Sequence, residues 1–460
     1  MDTSVLVVTI LILTLFGYWM GRSRARLLAG GQHLSVLHSL PSYHGSYVAL
    51  WCGLPALLLV AAWLVFEPAI IEYIVIEAIP GARALEPAQL SLLVADIRNL
   101  TSGNIVSREI DPALAAAGEH YLSLQYTSHA ALIVVALSVA VYGFYLARKS
   151  QTRDFRARNR VETIVRIVMV VASTIAILTT VGIILSLIFE TLRFFEKVSV
   201  NEFLFGLNWS PQTALRAEQV GSSGAFGAVP IFAGTFMITA LAMLVAVPVG
   251  LLSAIYMSEY AGPRMRAVAK PILEVLAGIP TVVYGFFAAL TVAPFFRQTG
   301  EAAGLMVSSE SALAAGMVMG VMIIPFVSSL SDDVMNAVPQ SLRDGAYALG
   351  ATQSETIKQV IIPAALPGIV GAVLLATSRA IGETMIVVMA AGLAANLTAN
   401  PLEAVTTVTV QIVTLLVGDQ EFDSAKTLAA FALGLVLFII TLGLNMIALR
   451  VVRRYREKYD

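Results

Sequence analysis

The sequence is poor in cysteine and histidine, which limits the metal and redox chemistry that it can carry. Its single cysteine, Cys52, lies within an apolar run, so an intrachain disulfide framework and a cysteine-rich metal site are both excluded. The histidines all precede residue 130 and lack the spacing of metal ligands; they are His33, His38, His44, His120 and His129. We interpret the first three as part of a solvated polar loop.

Charged residues are scarce as well. They make up 13% of the 460 residues, whereas soluble domains carry roughly 25%. This composition predicts a bilayer protein. The sequence lacks a glycine-rich phosphate loop of the Gly-x-x-x-x-Gly-Lys-Ser/Thr kind, so we expect no ATPase site in this chain. It also lacks a Ser-His-Asp, zinc or dinucleotide motif and any basic patch typical of nucleic-acid binding, so we expect neither an enzyme nor a nucleic-acid partner.

Long apolar runs dominate what is present. A spanning helix needs about 20 apolar residues. The runs predict nine spanning segments: 4–20, 47–66, 127–147, 164–189, 229–256, 272–296, 312–330, 366–392 and 427–450. The run Tyr73–Ile79 is shorter and is preceded by Glu72, so we interpret it as a peripheral or soluble piece.

The charges between these runs predict the orientation of the chain. The linker 148–160 is rich in arginine and should therefore be cytoplasmic, which places the acidic region 67–126 outside. The first run is followed by Arg22 and lacks a cleavage site, so we interpret it as a retained helix rather than a signal peptide. The N-terminus is then external, and the polar segment 331–365 and the C-terminus are cytoplasmic.

The arginine-rich linker also predicts two modules in an all-α polytopic membrane protein. Residues 1–150 hold three spanning helices and the external region 67–126. Residues 151–460 hold six spanning helices with both ends in the cytoplasm.

The cytoplasmic segment 331–365 has the signals of two short helices. Ser341 and Thr352 each precede an acid by three residues, which is the spacing of a capping box. Gly350 fits the left-handed residue that ends the first helix. The second helix should end at Pro363, with Pro367 opening the next span.

Two charged residues lie deep within the predicted span 366–392. Arg379 and Glu383 are four residues apart, so on one helix they would share a face and pair. Charges in the bilayer are costly and usually mark a transport pathway, and the planar guanidinium suits an oxyanion such as phosphate. A structural salt bridge is the alternative.

Other polar positions admit simpler explanations. Glu259 and Glu274 lie near cytoplasmic helix ends, where we expect pairing with Arg264, Arg266 or Lys270 rather than a gate. Gly278, Pro280 and Gly285 fit either a kink or close packing in the span 272–296.

The polar segment resembles the EAA loop of bacterial ABC importer permeases. The pattern is Glu-Ala-Ala, three residues, Gly, nine residues, and Ile-x-Leu-Pro. The matching residues here are Asp344, Gly345, Ala346, Gly350, Val360, Ile362 and Pro363, with Asp in place of Glu and Gly in place of the first Ala. The resemblance implies that this loop docks into a separate ATP-hydrolysing subunit.

Residues 379–384, RAIGET, resemble the motif of phosphate-specific (Pst) importer permeases. The segment 199–211, SVNEFLFGLNWSP, resembles the external loop of the PstC-type subunit, and the resemblance extends over roughly 160–455. It implies a six-helix permease core, here preceded by about three extra helices, and roles for Arg379 and Glu383 in phosphate passage. Residues 1–150 resemble the extension of longer bacterial forms.

The same resemblance implies the assembly. It comprises a second, PstA-type permease, two copies of an ATP-binding subunit and a periplasmic phosphate-binding protein, in the bacterial inner membrane and in contact with membrane lipid. ATP and Mg would be bound by the partner ATPase, so no cofactor is expected in this chain.

Three alternatives remain open. The chain could be a permease for sulfate, molybdate or phosphonate, although such permeases should lack the RAIGET helix. It could be an ion-coupled carrier or channel without an ATPase. It could also be a membrane sensor or scaffold that uses region 67–126.

Overall fold

The computed structural model describes residues 3–29, 37–79, 87–102, 112–213, 223–417 and 423–456. Within these ranges the chain is helical apart from one two-stranded hairpin, which confirms the predicted all-α class. The chain divides into two compact units, Met1–Leu178 and Thr179–Asp460. The predicted module boundary after residue 150 stays a prediction.

The first unit is built from long helices. They are α1 (Thr3–Leu28), α2 (Pro41–Ala78), α3 (Pro87–Ser102), α4 (Pro112–Lys149) and the first part of α5 (Ala157–Phe195), which ends in the second unit. Helix α2 packs against both α1 and α4. The core between them is apolar throughout, as expected for helices that also face lipid, and includes Ile10, Val60 and Leu132.

The predicted external region 67–126 is largely a continuation of two spanning helices. Helix α2 runs on to Ala78, so Tyr73 belongs to a long helix and not to a separate piece. Helix α3 packs on α4 around a small apolar cluster that includes Ile71 and Leu114. The Arg98 Nε donates to Glu72 Oε1 at 2.7 Å, and this hydrogen bond raises the pKa of Arg98. Residues 80–86 and 103–111 lie outside the described residues.

The predicted solvated histidine loop is wrong for His44. Helix α2 already begins at Pro41, so His44 lies in its first turns. The imidazole is fully buried, with its centroid 6.0 Å from that of Phe155, and Gln151 donates to the His44 carbonyl at 2.9 Å. The sequence pattern failed here because the helix extends beyond the apolar run. His33 lies outside the described residues.

The second unit contains the remaining elements. They are the end of α5, α6 (Val200–Phe205), β1 (Trp209–Thr213), β2 (Ser223–Phe226), α7 (Val229–Ile255), α8 (Pro263–Gly278), α9 (Thr281–Phe287), α10 (Ala293–Ala302), α11 (Ala312–Asn336), α12 (Gln340–Ala348), α13 (Gln353–Thr356), α14 (Ile362–Ile381), α15 (Met385–Ala390), α16 (Val408–Leu416) and α17 (Ala425–Arg456). Strands β1 and β2 pair antiparallel. Wide π turns follow α7, α9 and α13, at Tyr256–Tyr260, Ala288–Val292 and Ile357–Ile361.

Helices α7 and α11 form the centre of the second unit, because small residues let their backbones approach closely. Gly316 and Gly320 form a Gly-x-x-x-Gly pair on α11. A Cβ at Gly320 would lie 2.8 Å from the Ala242 carbonyl oxygen, and one at Gly316 would lie 2.6 Å from the Leu241 Cβ. Glycine at these positions is therefore required by the packing.

The spanning segments agree with the sequence in number and differ in outline. Among the described residues, eight single helices are long and apolar enough to cross a membrane, and the pair α8 with α9–α10 makes nine if counted as one bent span. The predicted span 272–296 is broken by an 85° bend after Gly278, which bears out the kink there. Gly278 itself makes no close contact, whereas Gly285 packs against Met385.

The predicted span 366–392 is wrong at both ends. The helical segment begins at Gln353 and ends at Ile381, and the short α15 follows after a break. Gly382 begins this break, and the backbone amide of Met385, the first residue of α15, donates to the Glu383 side chain.

Replacing Gly320 with Ala should destabilise the protein by about 1–3 kcal/mol, because the new methyl group meets backbone oxygen that cannot move away. Thermal unfolding of the purified chain in detergent measures this. Gly443→Ala on α17 is the matched control, since a Cβ there meets nothing within 4 Å. The control should be neutral or slightly stabilising. Equal midpoints for the two variants would contradict the packing argument.

Candidate functional site

A cavity of about 290 Å³ lies between α8, α11 and α14 of the second unit. Its wall contains four charged side chains, together with serine hydroxyls and apolar groups. The lining residues are Met257, Lys270, Leu273, Glu274, Ala277, Met322, Pro325, Phe326, Ser328, Ser329, Asp332 and Arg379. The predicted site residue Arg379 therefore lies at a polar cavity within an otherwise apolar helix bundle.

Arg379 is held at the cavity by an aromatic ring. Its guanidinium carbon lies 5.7 Å from the ring centroid of Phe326 on α11, a cation–π distance. A ring face attracts the charge without accepting the guanidinium's in-plane N–H donors, whereas a carboxylate would engage them. The side chain is exposed in this chain. Its donors are thus available to a ligand with planar or tetrahedral oxygens.

The predicted pairing of Arg379 with Glu383 is wrong. Helix α14 ends at Ile381, so the two residues do not share a helix face, and no ion pair joins them within the described residues. Glu383 instead accepts a hydrogen bond from the Met385 amide at 3.1 Å, and its carbonyl accepts one from Thr409 at 2.8 Å. The i,i+4 rule failed because α14 ends at Ile381, between the two charges.

A second charged group closes one side of the cavity. Asp332 is buried, with its side chain 1% exposed, and accepts hydrogen bonds from Arg266 at 2.9 Å and Lys270 at 3.1 Å. Asn336 donates to the same carboxylate. These contacts join α8 to α11, and the ion pair with Asp332 neutralises the charge of Lys270. Among the cations that line the cavity, Arg379 is therefore the one without an ion-pair partner among the described residues.

The hydroxyl of Ser328 adds an unused donor to the cavity wall. Ser328 is fully buried, and its Oγ has no hydrogen-bond partner among the described residues. A buried polar group without a partner costs free energy unless a ligand or water satisfies it. An anion in the cavity could accept from both Ser328 and Arg379.

The predicted docking segment forms a short helix with a glycine end. Helix α12 ends at Ala348, and Gly350 has a φ of 84°, as predicted for a left-handed terminus. Gly350 donates to the Tyr347 carbonyl and Ala351 donates to the Ala346 carbonyl. This pair of bonds is the Schellman motif.

The predicted capping boxes have different outcomes. The box at Thr352 and Glu355 is present, with both of its hydrogen bonds formed. The box at Ser341 is wrong, because α12 begins at Gln340 directly after Pro339 and Ser341 lies inside the helix. Gln340 donates to Asp344 at 3.1 Å instead.

The predicted helix end at Pro363 is also wrong. The backbone continues from α13 through a π turn into α14, and the Ile362 amide donates to the Ile357 carbonyl five residues back. The wider turn opens the ladder next to Pro363, which lies in the first turn of α14 and needs no amide donor there. Pro367 lies inside the same helix.

The seven predicted docking residues divide by exposure. Asp344, Gly345, Gly350 and Pro363 are exposed, Ala346 is buried, and Val360 and Ile362 are half-buried. The neighbouring Leu349 is 91% exposed and Tyr347 is 44% exposed. The exposed end of α12 therefore presents apolar side chains beside a carboxylate. Whether these residues dock to a partner stays a prediction.

Glu259, in the π turn after α7, binds residues of both α12 and α13. Its carboxylate pairs with Arg343 of α12 at 2.5 Å, and its carbonyl accepts from Gln353 at 2.6 Å. The paired side chains are only 5% and 11% exposed. The expected pairing of Glu259 with a basic residue of α8 is therefore wrong. Glu274 is exposed and lines the cavity without an ion pair among the described residues.

Several residues of the site carry little signal in the sequence. Lys270 is recognisable only as a possible partner for a glutamate, and Phe326 is one aromatic residue among many. The serines at 328, 329 and 331 do form a polar group within the apolar run 312–330 and its end, and they could have indicated a lined cavity. Arg343 gives no such indication, because its partner is 84 residues away.

Two family models match the chain. Residues 7–179 match the model described as "Phosphate ATP-binding cassette transporter", and residues 246–457 match "Binding-protein-dependent transport system inner membrane component". The "Probable ABC transporter permease protein YqgH" of Bacillus subtilis is 36% identical over 278 residues, which cover 60% of this chain and 86% of that protein.

Proteins named for phosphate transport are similar over comparable lengths. "Phosphate transport system permease protein PstC" of Mesorhizobium japonicum is 33% identical, covering 54% of this chain and 76% of that protein. "Phosphate transport system permease protein PstC 1" of Mycobacterium tuberculosis is 36% identical, covering 50% and 73%. A solved methionine ABC transporter, MetNI, aligns at 19% identity with a TM-score of 0.37, covering 50% of this chain and 94% of that chain.

The bundle, the bent span and the matched models define a multi-pass membrane protein of the binding-protein-dependent permease class, a transport subunit that is not itself catalytic. Within that class, the chain belongs to the PstC family of ABC transporter permeases.

Replacing Glu259 with Ala should loosen α12 by about 3 kcal/mol, because it leaves Arg343 as a buried charge without a partner. Hydrogen exchange of the backbone amides of residues 340–348 measures this. The double variant with Arg343→Ala should recover part of the loss, since neither charge then remains unpaired. Glu274→Ala, an exposed acid, is the control and should leave α12 unchanged. Additive effects of the two single changes would contradict the pairing.

Proposed function

We propose that this chain is the transmembrane permease subunit of an ATP-driven phosphate importer and forms half of the translocation pathway. The observation that carries the proposal is the cavity at Arg379, an arginine with free donors inside an apolar bundle, in a chain whose PstC relatives are named for phosphate transport.

The chemistry of the cavity suits a tetrahedral oxyanion. The guanidinium of Arg379 offers parallel N–H donors that match two phosphate oxygens, and the Ser328 hydroxyl can donate to a third. Phe326 orients the guanidinium without neutralising it. The exposed acid Glu274 on the same wall opposes tight retention of an anion, which favours release and therefore conduction.

In this proposal Glu383 does not pair with Arg379 but has a structural role. Its carboxylate caps the amide of Met385 and its carbonyl accepts from Thr409, so it stabilises the break after α14. We propose that Glu383 positions the end of α14, which carries Arg379, beside the phosphate pathway.

Coupling to ATP would occur through α12 and the residues after it. In this proposal a separate ATPase, which binds ATP and Mg, also binds the surface formed by Asp344, Gly345, Tyr347 and Leu349. Gly350, Val360, Ile362 and Pro363 set the turn and the entry into α14. The Arg343–Glu259 pair transmits a displacement of α12 to the π turn after α7, whose Met257 lines the cavity.

The remaining partners are a second permease, two ATPase copies and a periplasmic phosphate-binding protein. The N-terminus lies outside in this proposal, so region 67–126 and the loops 190–228 and 393–426 face the binding protein, and α12 faces the cytoplasm. Of these loops, residues 214–222 and 418–422 lie outside the described residues. ATP-driven closure exposes Arg379 to delivered phosphate.

Arg379→Ala should lower phosphate uptake at least about tenfold, because the charged hydrogen bonds to the anion are lost. Uptake of radiolabelled phosphate by cells that lack other phosphate importers measures this, with pull-down of the ATPase run alongside. Arg297→Ala, an exposed arginine that pairs with Glu301 within α10, is the matched control and should keep normal uptake.

Normal phosphate uptake by Arg379→Ala would contradict the role of this residue. Sulfate and molybdate uptake are measured in the same cells. Arg379-dependent uptake of one of these anions, without phosphate uptake, would establish a permease for another oxyanion.

Asp344→Lys should abolish both uptake and pull-down of the co-expressed ATPase, because the reversed charge meets a basic surface on the partner. Glu301→Lys makes the same charge reversal at an exposed helix end outside the docking segment and should change neither readout. Survival of uptake and ATPase binding in Asp344→Lys would contradict docking at this helix and favour a carrier that needs no ATPase.

A further inference from the structure

The first unit contains a larger and more apolar groove than the cavity at Arg379. Its volume is about 680 Å³, and it lies between α2 and α4. The wall is formed by aliphatic and aromatic side chains, with a few polar groups at one level. The lining residues are Leu59, Ala62, Trp63, Phe66, Glu67, Ile70, Ile71, Ile74, Leu124, Thr127 and Ser128. The transport proposal gives no role to the carboxylate of Glu67 or to the part of the groove beside Leu59 and Trp63.

Glu67 places an unsatisfied carboxylate oxygen in the groove wall. Its side chain is 8% exposed, and Oε1 accepts no hydrogen bond from the described residues. The His129 Nε2 lies 3.6 Å from Oε1, beyond the range of a good hydrogen bond. The Trp63 indole N–H is also unavailable, because it donates to Ser128 Oγ at 2.9 Å.

The level of Glu67 along the helices matches a membrane boundary. The apolar run 47–66 of α2 ends directly before Glu67, and the apolar run 127–147 of α4 begins opposite, at Thr127. Trp63 is a residue type enriched at the interface between headgroups and acyl chains. The groove therefore extends from the bilayer core past the level of lipid headgroups, where Ile70, Ile74 and Leu124 continue its wall.

These observations require a ligand with two properties. The apolar wall below Glu67 favours an acyl chain, and the unsatisfied oxygen favours a cation that carries N–H donors. A quaternary ammonium has the charge but no donor, and an anionic headgroup would meet a like charge. We propose that the groove binds a membrane lipid with a primary ammonium headgroup, with the ammonium on Glu67 and one acyl chain along Trp63 and Leu59.

The test compares lipid retention by the unmodified chain and by its variants. The protein is incorporated into nanodiscs of phosphatidylethanolamine and phosphatidylcholine in equal amounts, extracted in mild detergent, and its retained lipids are quantified by mass spectrometry. The unmodified chain should retain phosphatidylethanolamine in excess. Glu67→Gln keeps the shape and removes the charge, and it should lower this excess by about tenfold. Glu119→Gln, an exposed acid on α4, is the matched control and should leave it unchanged.

A second pair of variants tests the groove without touching the carboxylate. Ala62→Phe fills the groove, and it should lower retention of both lipids. Ala61→Phe adds the same bulk to the neighbouring exposed position, which does not line the groove, and should have no effect. Elution at the unmodified volume in size-exclusion chromatography shows that each variant is folded.

Three outcomes would overturn the proposal. One is equal retention of the two lipids by the unmodified chain. Another is an unchanged phosphatidylethanolamine excess in Glu67→Gln. The third is co-purification of a protein helix that Ala62→Phe displaces while lipid retention stays constant, which would make the groove a protein interface. Because the readout is lipid retention and not transport, its failure would leave the phosphate proposal untouched.

Discussion

The candidate site depends on how charge is neutralised inside an apolar bundle. A buried carboxylate such as Asp332 is tolerable only when cations and hydrogen-bond donors surround it, and Arg266, Lys270 and Asn336 supply them. This cluster fixes the amphipathic helix α8 on α11, and its carboxylate neutralises the positive charge of Lys270. Arg379 is left as the lining cation whose guanidinium donors remain free, because an aromatic ring rather than an acid holds it.

Breaks in the helices provide the second condition. An unbroken helix from 366 to 392 would bring Glu383 onto the face of Arg379, where the acid would occupy the guanidinium. The end of α14 at Gly382 removes that competitor and redirects the carboxylate to the Met385 amide. The 85° bend after Gly278 similarly changes the direction of the chain between α8 and α9, and both of these helices contact α11. Irregular backbone is tolerated at such places because the polar cavity and capping side chains satisfy it.

The sequence predicted what depends on composition and local spacing, and it was wrong where long-range contacts decide. The helical class, the bend near Pro280, the left-handed Gly350 and the capping box at Thr352 follow from residues within one or two turns. The end of the helix at Gly382 was missed because Arg379 and Glu383 carry a strong i,i+4 signal, and Gly382, whose φ is −85°, does not adopt the left-handed conformation that marks a glycine cap. The partners of Glu259 and Asp332 lie 84 and 66 residues away, so only the fold could identify them.

The same long-range contacts connect the exposed helix α12 to the cavity. Arg343 lies next to Asp344 in the chain, and its guanidinium binds both Glu259 and the Met335 carbonyl at the end of α11. Glu259 belongs to the π turn that also contains Met257, and Met257 lines the cavity. A π turn is a local widening of a helix that is frequently found at functional sites. Helix α12 is therefore connected to the cavity wall through one buried ion pair and one π turn, and both lie against α7 and α11, whose close packing requires glycine.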